Sequence, residues 1–438
     1  MNLPVLTSAD SEAAQRRVAG SLAGRGIGRG DRVVLSVPGS AHYVSVVLGA
    51  LRSGVVAVPL DPRLTDHERD AVLTDVEPAL VVDSPGLLAD LLDGPEGELA
   101  PWPLSRPMHF TSGTTGRPKG VWSGLLEPDH AEALVREERE LWGFAAADLD
   151  LVVSPVYHSA PLRFAMGTLL AGGSIAVLPK FDAGLFADAV HALRPTSMFC
   201  VPAHLQRLFA WLDEDPDHTL DASSFRLVAH AGAPCPEPVR RRAHDTFGVD
   251  AVWEFYGSTE GQFTACPAAE WIAHPGTVGA ARPGRVVTVD DEDVLWCAVP
   301  PWARFTYWRD PEKTAETWRD TPDGPAFTAG DLGRVEDGLV YLDARRTDLI
   351  ISGGVNVYPA EVEAALADAP GLDDVAVYGT PDERWGQRVC AAYVGDVGED
   401  TLRALAAERL SPPKRPKDYR RVDALPRTAT GKVRRTEL

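Results

Sequence analysis

Residues 109–121, HFTSGTTGRPKGV, combine the groups that could bind the phosphates of a nucleotide. Three glycines can adopt the backbone angles that aim successive N–H groups at one ligand: Gly113, Gly116 and Gly120. Three hydroxyl groups add donors: Ser112, Thr114 and Thr115. Lys119 adds a full positive charge. The segment is no Walker A loop, because its lysine follows a proline and no Gly-Lys-Ser/Thr occurs, yet it suits β- and γ-phosphates.

A second segment, EFYGSTEG at 254–261, offers three different kinds of contact within five residues. Tyr256 presents an aromatic face for a base, Thr259 a hydroxyl for an oxyanion, and Glu260 a carboxylate for a hard cation. Taken alone, the octapeptide would also fit a strand that ends in a turn. Next to the phosphate-type loop, the functional interpretation is favoured.

Three shorter segments add weaker signals. AHAGAPCP (229–236) supplies Gly232 and Ala233 for a close backbone approach, and TAGDLG (328–333) supplies Asp331, whose two oxygens could accept from two hydroxyl groups. The chain ends in PRTATGKVRRTEL (426–438), which in most proteins would be a solvated basic tail but here carries Lys432. A cation at this point suits a reaction in which negative charge accumulates.

These segments, in this order, resemble the adenylate-forming superfamily, which includes acyl- and aryl-CoA ligases, nonribosomal adenylation domains and firefly luciferase. The resemblance covers roughly three quarters of the chain. It implies that ATP and Mg²⁺ activate a carboxylic acid as an acyl adenylate, with release of pyrophosphate. The acyl group then passes to a thiol, with coenzyme A as the expected co-substrate.

The resemblance also assigns roles to individual residues. Tyr256 would stack on adenine, Thr259 would contact the α-phosphate, Glu260 would hold the magnesium, and Lys432 would meet both the carboxylate and the α-phosphate. The catalytic set is therefore Lys432, Thr259 and Glu260. The other expected ATP-binding residues are Thr111, Ser112, Gly113, Thr114, Thr115, Gly116, Lys119, Gly232, Ala233, Gly257, Asp331 and Arg345.

The acid pocket is expected near VYHSAPLRF (156–164), which resembles the aromatic-His segment of the family. The resemblance places His158, Arg163, Val201 and Gln262 in this pocket, and Arg163 could pair with a second carboxylate. Amino-acid-activating relatives carry an aspartate in this segment where the present chain has Tyr157 and His158, so amino acids are disfavoured. The sequence of this segment is most similar to that of CoA ligases for fatty, bile-type or aromatic acids.

From residue 345 the sequence resembles the hinge and mobile C-terminal domain of the family. The hinge position, usually Asp or Lys, is Thr347, which puts the usual polar anchoring of the domain rotation in doubt. Gly353 and Gly354 would line the thiol tunnel. The expected contacts to coenzyme A are Trp385, Lys414 and Arg415, with the cations facing phosphates.

The elements that must position these residues follow an α/β pattern. Short apolar runs alternate with helical spacing at 11–22, 31–37, 41–52, 55–60, 66–75 and 79–83, and the rhythm resumes after residue 150. This alternation predicts parallel sheets with covered faces. A smaller antiparallel unit is expected between 280 and 345. We predict an N-terminal ATP- and acid-binding domain at 1–344 and a small α+β C-terminal domain at 345–438.

Composition limits the partners. The 438 residues carry a formal net charge of −20, which disfavours nucleic acid and anionic lipid. The five cysteines are far apart, and the apolar stretch 43–60 is interrupted by Arg52 and two glycines, so it predicts a helix and a strand and no membrane span. The start of the chain lacks a signal-peptide pattern, and a cytoplasmic location is expected.

Several alternatives stay open. The acceptor could be the phosphopantetheine thiol of a carrier protein, or the activated group could be an unusual oxyacid such as nitrite. A hypothesis of another class is a nucleotide-binding regulator without catalysis, against which the retained Lys119, Glu260 and Lys432 argue. The identity of the acid and the oligomeric state, a homodimer included, are left open.

Overall fold

A computed structural model describes residues 3–111, 118–344, 349–426, 433 and 435–438. The chain divides into two compact units. The first contains residues 1–62, 78–109 and 120–343, and the second contains residues 63–77, 110–119 and 344–438. The long last segment of the second unit thus starts at 344, beside the expected domain boundary.

The first unit is built on a ten-stranded sheet with the order β1-β8-β7-β9-β10-β11-β12-β13-β20-β19. The strands, in that order, are Val5–Thr7, Ser174–Val177, Leu149–Val152, Ser197–Cys200, Leu227–His230, Val252–Glu254, Thr264–Pro267, Thr277–Ala281, Leu339–Ala344 and Leu332–Glu336. The neighbouring strands β8, β7, β9, β10 and β11 run parallel to one another. The strands β1, β12, β13 and β20 pair antiparallel with their neighbours. Both β9 and β10 are buried along their whole length, as expected for strands covered on both faces.

A smaller parallel sheet has the order β3-β2-β4, formed by Val56–Pro59, Arg32–Leu35 and Leu80–Val82. Helices cover the two parallel sheets. They are α1 (Ser8–Gly24), α2 (Ala41–Arg52), α4 (Pro85–Leu92), α5 (Pro128–Trp142), α6 (Ser159–Leu170), α7 (Ala183–Leu193), α8 (Pro202–Glu214), α9 (Glu237–Phe247) and α10 (Ala268–Ala273). The segment 43–60 is indeed a helix followed by a buried strand. Among the described residues, no helix is both long enough and apolar enough to cross a membrane.

The antiparallel part of the first unit lies where the sequence predicted it. Its four strands, in the order β14-β15-β18-β17, are Val286–Val289, Leu295–Ala298, Gly324–Phe327 and Trp318–Thr321. Further elements are β5 (His109–Thr111), β6 (Lys119–Trp122), a 3₁₀ helix (Pro301–Ala303), β16 (Thr306–Tyr307) and α11 (Pro311–Thr317). A cluster of aromatic and aliphatic side chains that includes Phe263, Phe305 and Phe327 packs beneath these strands.

The second unit has a mixed five-stranded sheet. Its strands are β21 (Ile350–Ser352), β22 (Val355–Val357), β23 (Leu372–Asp382), β24 (Gly386–Gly395) and β25 (Asp418–Arg421). Its helices are α3 (Asp66–Val76), α12 (Pro359–Leu366), α13 (Glu399–Arg409) and a 3₁₀ helix (Arg435–Glu437). Val362, Leu366, Val377 and Leu402 form part of one core between helices and sheet. The predicted α/β class, with a small antiparallel part and an α+β C-terminal unit, is confirmed.

Candidate active site

Three adjacent parallel strands of the first unit end at one edge of the sheet and deliver the loops that carry predicted site residues. Val201 follows β9, Gly232 and Ala233 follow β10, and Tyr256 follows β11. The carboxyl edge of a parallel sheet is where ligands of α/β proteins bind, because the loops there leave the sheet in different directions. The sheet therefore brings together residues that are more than fifty positions apart in sequence.

Tyr256 and Asp331 meet directly. The phenol of Tyr256 donates a hydrogen bond to Oδ2 of Asp331 over 2.6 Å, and both residues are buried. Two residues that the sequence assigned to the base and the ribose of one nucleotide are thus neighbours. In the loop after β10, Gly232 has a φ of 88°, and the only atom within 4 Å of a Cβ built there belongs to Val201, at 3.7 Å.

A tight hairpin holds residues 257–262. The N–H of Ser258 donates to the carbonyl of Gly261 over 2.9 Å, and the N–H of Phe263 donates to the carbonyl of Tyr256 over 2.9 Å. Gly257 is required here, since a Cβ atom would lie 2.6 Å from the carbonyl oxygen of Gly261. The hairpin thereby fixes Thr259 and Glu260 at its tip.

Glu260 is held from two sides. Its carboxylate Oε1 accepts a hydrogen bond from the phenol of Tyr307 over 2.9 Å, and its carbonyl oxygen accepts one from Nη1 of Arg106 over 3.1 Å. In the described part of the chain, no group of three or more His, Cys, Asp or Glu side chains could hold a metal ion. A single oriented carboxylate fits Mg²⁺, which usually takes one or two carboxylates and completes its shell with water and substrate phosphates.

A cavity of about 270 Å³ lies in the first unit next to this hairpin. Thr259, Gly261 and Gln262 line one part of it. Apolar side chains line much of the remainder: Leu134, Val135, Phe144, Met166, Leu170 and Val299. The cavity therefore reaches from the residue expected to contact the α-phosphate into an apolar interior.

Charged residues also line the cavity, namely Arg106, Arg163, Arg282, Arg285 and Glu138 of α5. Together with Glu137 of the same helix, which pairs with Arg282 and Arg285, we call them the arginine cluster. Arg282 is almost fully buried, and its Nη2 lies 2.7 Å from Glu138 and 3.0 Å from Glu137. Arg285 pairs with Glu137 over 2.5 Å. Two tryptophans complete the carboxylate shells, because Trp142 donates to Glu138 and Trp302 donates to Glu137.

Arg163, which lies on α6, is farther from Glu138 than Arg282 is. Its Nε lies 3.3 Å from Glu138, and its guanidinium carbon lies 5.5 Å from the centre of the Phe255 ring. The side chain of Arg163 is 24% exposed to solvent. Arg163 thus stands at the cavity surface, and is less enclosed than Arg282.

Burial and neighbouring charge shift the ionisation of this cluster. Burial, with Arg163 and Arg285, lowers the pKa of Arg106 to about 10, and burial also lowers the pKa of Arg163 to about 10 despite Glu138. Burial opposes ionisation of Glu138, but Arg282 and Arg163 outweigh it and lower its pKa to about 2. All three groups are consequently charged at neutral pH.

His109 behaves differently, since burial and His158 lower its pKa to about 3. It lines the cavity as a neutral imidazole at neutral pH.

The structure distributes the four predicted acid-pocket residues between two places. Arg163 and Gln262 line the cavity, whereas His158 and Val201 are not among the residues that line it. His158 is exposed at the start of α6, with its ring 4.7 Å from that of Tyr157. Val201 instead lies beside Gly232. The helical period accounts for the separation of Arg163 from His158, because positions five apart on α6 and its N-cap face different directions.

In the second unit, two residues predicted for the thiol tunnel are adjacent. The N–H of Gly353 donates to the carbonyl of Trp385 over 2.7 Å. Gly353 and Gly354 have φ values of 60° and 82°, and a Cβ atom on Gly353 would lie 3.0 Å from the indole of Trp385. Only glycine gives this close approach without strain. Lys417 also lies 5.9 Å above the Trp385 ring.

Lys414 departs from its expected contact with coenzyme A phosphates. Its Nζ lies 2.6 Å from Glu361 and 3.0 Å from Glu68, and its side chain is only 13% exposed. Burial would lower its pKa, but the two carboxylates raise it. Arg415 is likewise engaged, because it donates to the carbonyls of Leu410 and Ala407 at the end of α13. Lys414 is thus enclosed by its two carboxylates, and the partly exposed Arg415 binds the carbonyl groups at the end of α13.

Part of the predicted site lies outside the described residues: Ser112, Gly113, Thr114, Thr115, Gly116, Arg345, Thr347 and Lys432. Of the flanking residues, Thr111 ends β5 and Lys119 begins β6, and the hydroxyl of Thr111 donates to the carbonyl of Lys119 over 3.4 Å. The roles assigned to all of these residues remain predictions.

Sequence reasoning missed several residues of the cavity and the ion-pair partner behind them. The lining residues are Arg106, His109, Glu138, Arg282 and Arg285, and the partner is Glu137. No local motif marks them. The consecutive glutamates of α5 have the pattern of a solvated helix face, and Arg282 and Arg285 flank an ordinary Pro-Gly turn. Only the fold brings them together.

Comparison with known proteins settles the family. The family model described as AMP-binding enzyme matches residues 5–99 and 107–297, and the model described as AMP-binding enzyme C-terminal domain matches residues 361–432. This chain belongs to the AMP-binding enzyme family. The suspected adenylate-forming resemblance is thereby confirmed.

Similar proteins in this family include several ligases. The chain is 30% identical to the long-chain-fatty-acid–CoA ligase FadD13 of Mycobacterium tuberculosis, over 99% of this chain and 92% of the relative. It is 31% identical to the fatty acid–[acyl-carrier-protein] ligase ScoC of Streptomyces coeruleorubidus, over 96% of this chain and 89% of the relative. A double mutant of o-succinylbenzoate CoA synthetase (MenE) from Bacillus subtilis, bound to a product analogue, has a similar fold, with a TM-score of 0.87, 25% identity and coverage of 98% and 92%.

Proposed function

We propose that this protein is an acid–thiol ligase that uses ATP to activate a carboxylic acid and transfers the acyl group to coenzyme A. The observation that carries the proposal is the meeting of Tyr256, Asp331 and the 257–262 hairpin beside a partly apolar cavity. A nucleotide site and an acid site that share Thr259 are what adenylate formation requires. Membership of the AMP-binding enzyme family supports the same chemistry.

In the first half-reaction, a carboxylate oxygen of the acid attacks the α-phosphorus of ATP, and the bond to the pyrophosphate oxygen breaks. Thr259 donates a hydrogen bond to the α-phosphate, and Lys432 stabilises the charge that accumulates as pyrophosphate leaves. Glu260, already oriented by Tyr307, would hold Mg²⁺. When bound, that ion neutralises phosphate charge.

In the second half-reaction, the thiol sulfur attacks the acyl carbonyl and AMP leaves with the bonding electron pair. We assign the thiol approach to the second unit, where Gly353 and Trp385 are in contact. The hinge role of Thr347 and movement of this unit between the half-reactions belong to the same proposal. A homodimer and a cytoplasmic location stay predictions.

The proposal is tested by pyrophosphate release from a panel of carboxylic acids, with and without coenzyme A, and by mass spectrometry of the thioester. We expect acid-dependent release of pyrophosphate and formation of an acyl-CoA. Tight ATP binding without any turnover would favour the non-catalytic regulator instead.

A second candidate acceptor is the phosphopantetheine thiol of a carrier protein, because a relative with 31% identity is named as a ligase for an acyl carrier protein. Replacing coenzyme A by a holo carrier protein in the same assay separates the two. Transfer to the carrier protein at a rate above that to coenzyme A would establish this alternative.

A further inference from the structure

The buried part of the cavity wall has an excess of positive charge. The arginine cluster has four arginines and two glutamates, and the exposed rim adds two arginines and one glutamate: Arg136, Arg139 and Glu132. Charges away from water are stable only when paired or hydrogen-bonded. Within the described residues, Glu137 and Glu138 are committed mainly to Arg282 and Arg285, so the other two arginines are incompletely compensated.

Buried polar atoms without hydrogen-bond partners concentrate at the same wall. Among the described residues that line the cavity, they include Nε of Arg106, Nε of Arg163, Oγ of Ser258 and both polar atoms of the Gln262 amide. Gln262 is only 3% exposed. Native proteins satisfy most buried polar atoms, so a cluster of exceptions around one cavity indicates a polar ligand.

Arg163 is the residue best placed to meet such a ligand. Its Nε lies 3.3 Å from Glu138, and this buried nitrogen has no hydrogen-bond partner among the described residues. A guanidinium has a planar fork of donors that matches the two oxygens of a carboxylate. The complementary ligand group is therefore an anion with paired oxygens.

The remaining wall limits the body of the ligand. Side chains of α5 and α6 make it apolar, and a volume of about 270 Å³ is near the lower end of small-molecule sites. A long acyl chain would not fit inside it, whereas a short aliphatic or monocyclic aromatic body would.

We propose that the acid activated by this protein is a dicarboxylic acid with a short apolar body. Its reacting carboxylate lies at Thr259, and its second carboxylate pairs with Arg163, with the amide of Gln262 as a further donor. This inference rests on the proposed function, because it takes Thr259 as the point where the acid meets ATP.

The test uses matched pairs of acids in which one methyl group is replaced by a carboxylate. The pairs are hexanoate with hexanedioate, 4-methylbenzoate with terephthalate, and 3-(4-methylphenyl)propanoate with 3-(4-carboxyphenyl)propanoate. Pyrophosphate release gives kcat/KM for each acid, and calorimetry with a non-hydrolysable ATP analogue gives its affinity. We expect kcat/KM for the dicarboxylate of at least one pair to exceed that of its monoacid about tenfold or more. This ratio corresponds to the contribution of one charge-assisted hydrogen-bonded pair.

Arg163→Met should lower kcat/KM for the preferred dicarboxylate by about 10- to 100-fold, while the monoacid of the same pair changes little. Arg163→Lys keeps the charge and should retain part of the preference. Arg207→Met is the matched control, because Arg207 also lies 5.5 Å above a phenylalanine ring, that of Phe181, on a helix outside the cavity. The control should keep the wild-type preference.

The outcomes separate the inference from the function on which it rests. Turnover of monoacids at least as fast as of their dicarboxylate partners would overturn the inference and leave the ligase function intact. Calorimetric binding of dicarboxylates no tighter than of monoacids would overturn it even without turnover. Failure of every acid to release pyrophosphate, together with dicarboxylate-selective binding that Arg163→Met abolishes, would support the inference and contradict the function.

Discussion

Two clusters of buried charge, one in each unit, differ in how completely their members are paired. In the second unit, Lys414 lies between Glu361 and Glu68, within 3.0 Å of both. In the first unit, the Nε of each arginine in the arginine cluster has no hydrogen-bond partner among the described residues, and the ion pair of Arg163 with Glu138 is long, at 3.3 Å. A cation that is already surrounded by its partners stabilises the fold, whereas an incompletely paired cation beside a cavity can bind a ligand. Pairing, more than burial, distinguishes the two roles.

The largest effect on stability is expected from Lys414→Met. The substitution leaves two buried carboxylates facing each other, which typically costs about 3–5 kcal/mol of unfolding free energy. Hydrogen exchange followed by mass spectrometry should show faster exchange in α12 and α13. Lys417→Met is the control from the same segment, and it should have little effect. Equal exchange in both variants would mean that Lys414 is not a structural ion-pair partner.

The next largest effect on the free energy of unfolding is expected from Glu138→Gln, and it depends on pH. Its folded pKa of about 2 lies below its ordinary value of 4.5, so its ionisation stabilises the fold above pH 4.5, and this contribution is lost as the pH falls towards 2. Glu138→Gln should lower the free energy of unfolding by about 3 kcal/mol at pH 7. In urea unfolding between pH 7 and pH 3, the gap to the wild type should narrow below pH 4.5. A gap independent of pH would exclude this role of the charge.

The sequence predicted those features that are encoded within short segments. The helix at 41–52 begins after Ser40, whose side chain accepts from the N–H of Tyr43, and its boundaries match the prediction. The 254–261 segment likewise predicted a turn next to a strand, and the structure has a hairpin there, whereas the roles of Tyr256 and Glu260 stay predictions. The ion pairs of Lys414 could not be read from the sequence, because one of its partners, Glu68, lies 346 residues away. Of the arginine cluster the sequence predicted only Arg163 as a site residue, because the members of the cluster come from four separate segments.

Tyr256→Phe is expected to have a smaller effect, which concerns the KM for ATP. The variant loses the 2.6 Å hydrogen bond to Asp331, which is worth about 1 kcal/mol. If the two residues bind one nucleotide, the KM for ATP should rise by about threefold to tenfold, with a smaller change in the KM for the acid. Tyr393→Phe, at a buried tyrosine of the second unit, is the control and should leave both constants unchanged. An unchanged KM for ATP would argue that the pair only supports the fold.

The smallest effect on stability is expected from Arg163→Met, and it tests the comparison most directly. Glu138 keeps Arg282 at 2.7 Å in this variant, and the repulsion of Arg163 by Arg282 and Arg285 disappears. Methionine also retains most of the apolar stem volume. The free energy of unfolding should therefore change by less than about 1 kcal/mol. A loss as large as that of Lys414→Met would show that Arg163 is a structural partner of Glu138, and the two clusters would then have the same role.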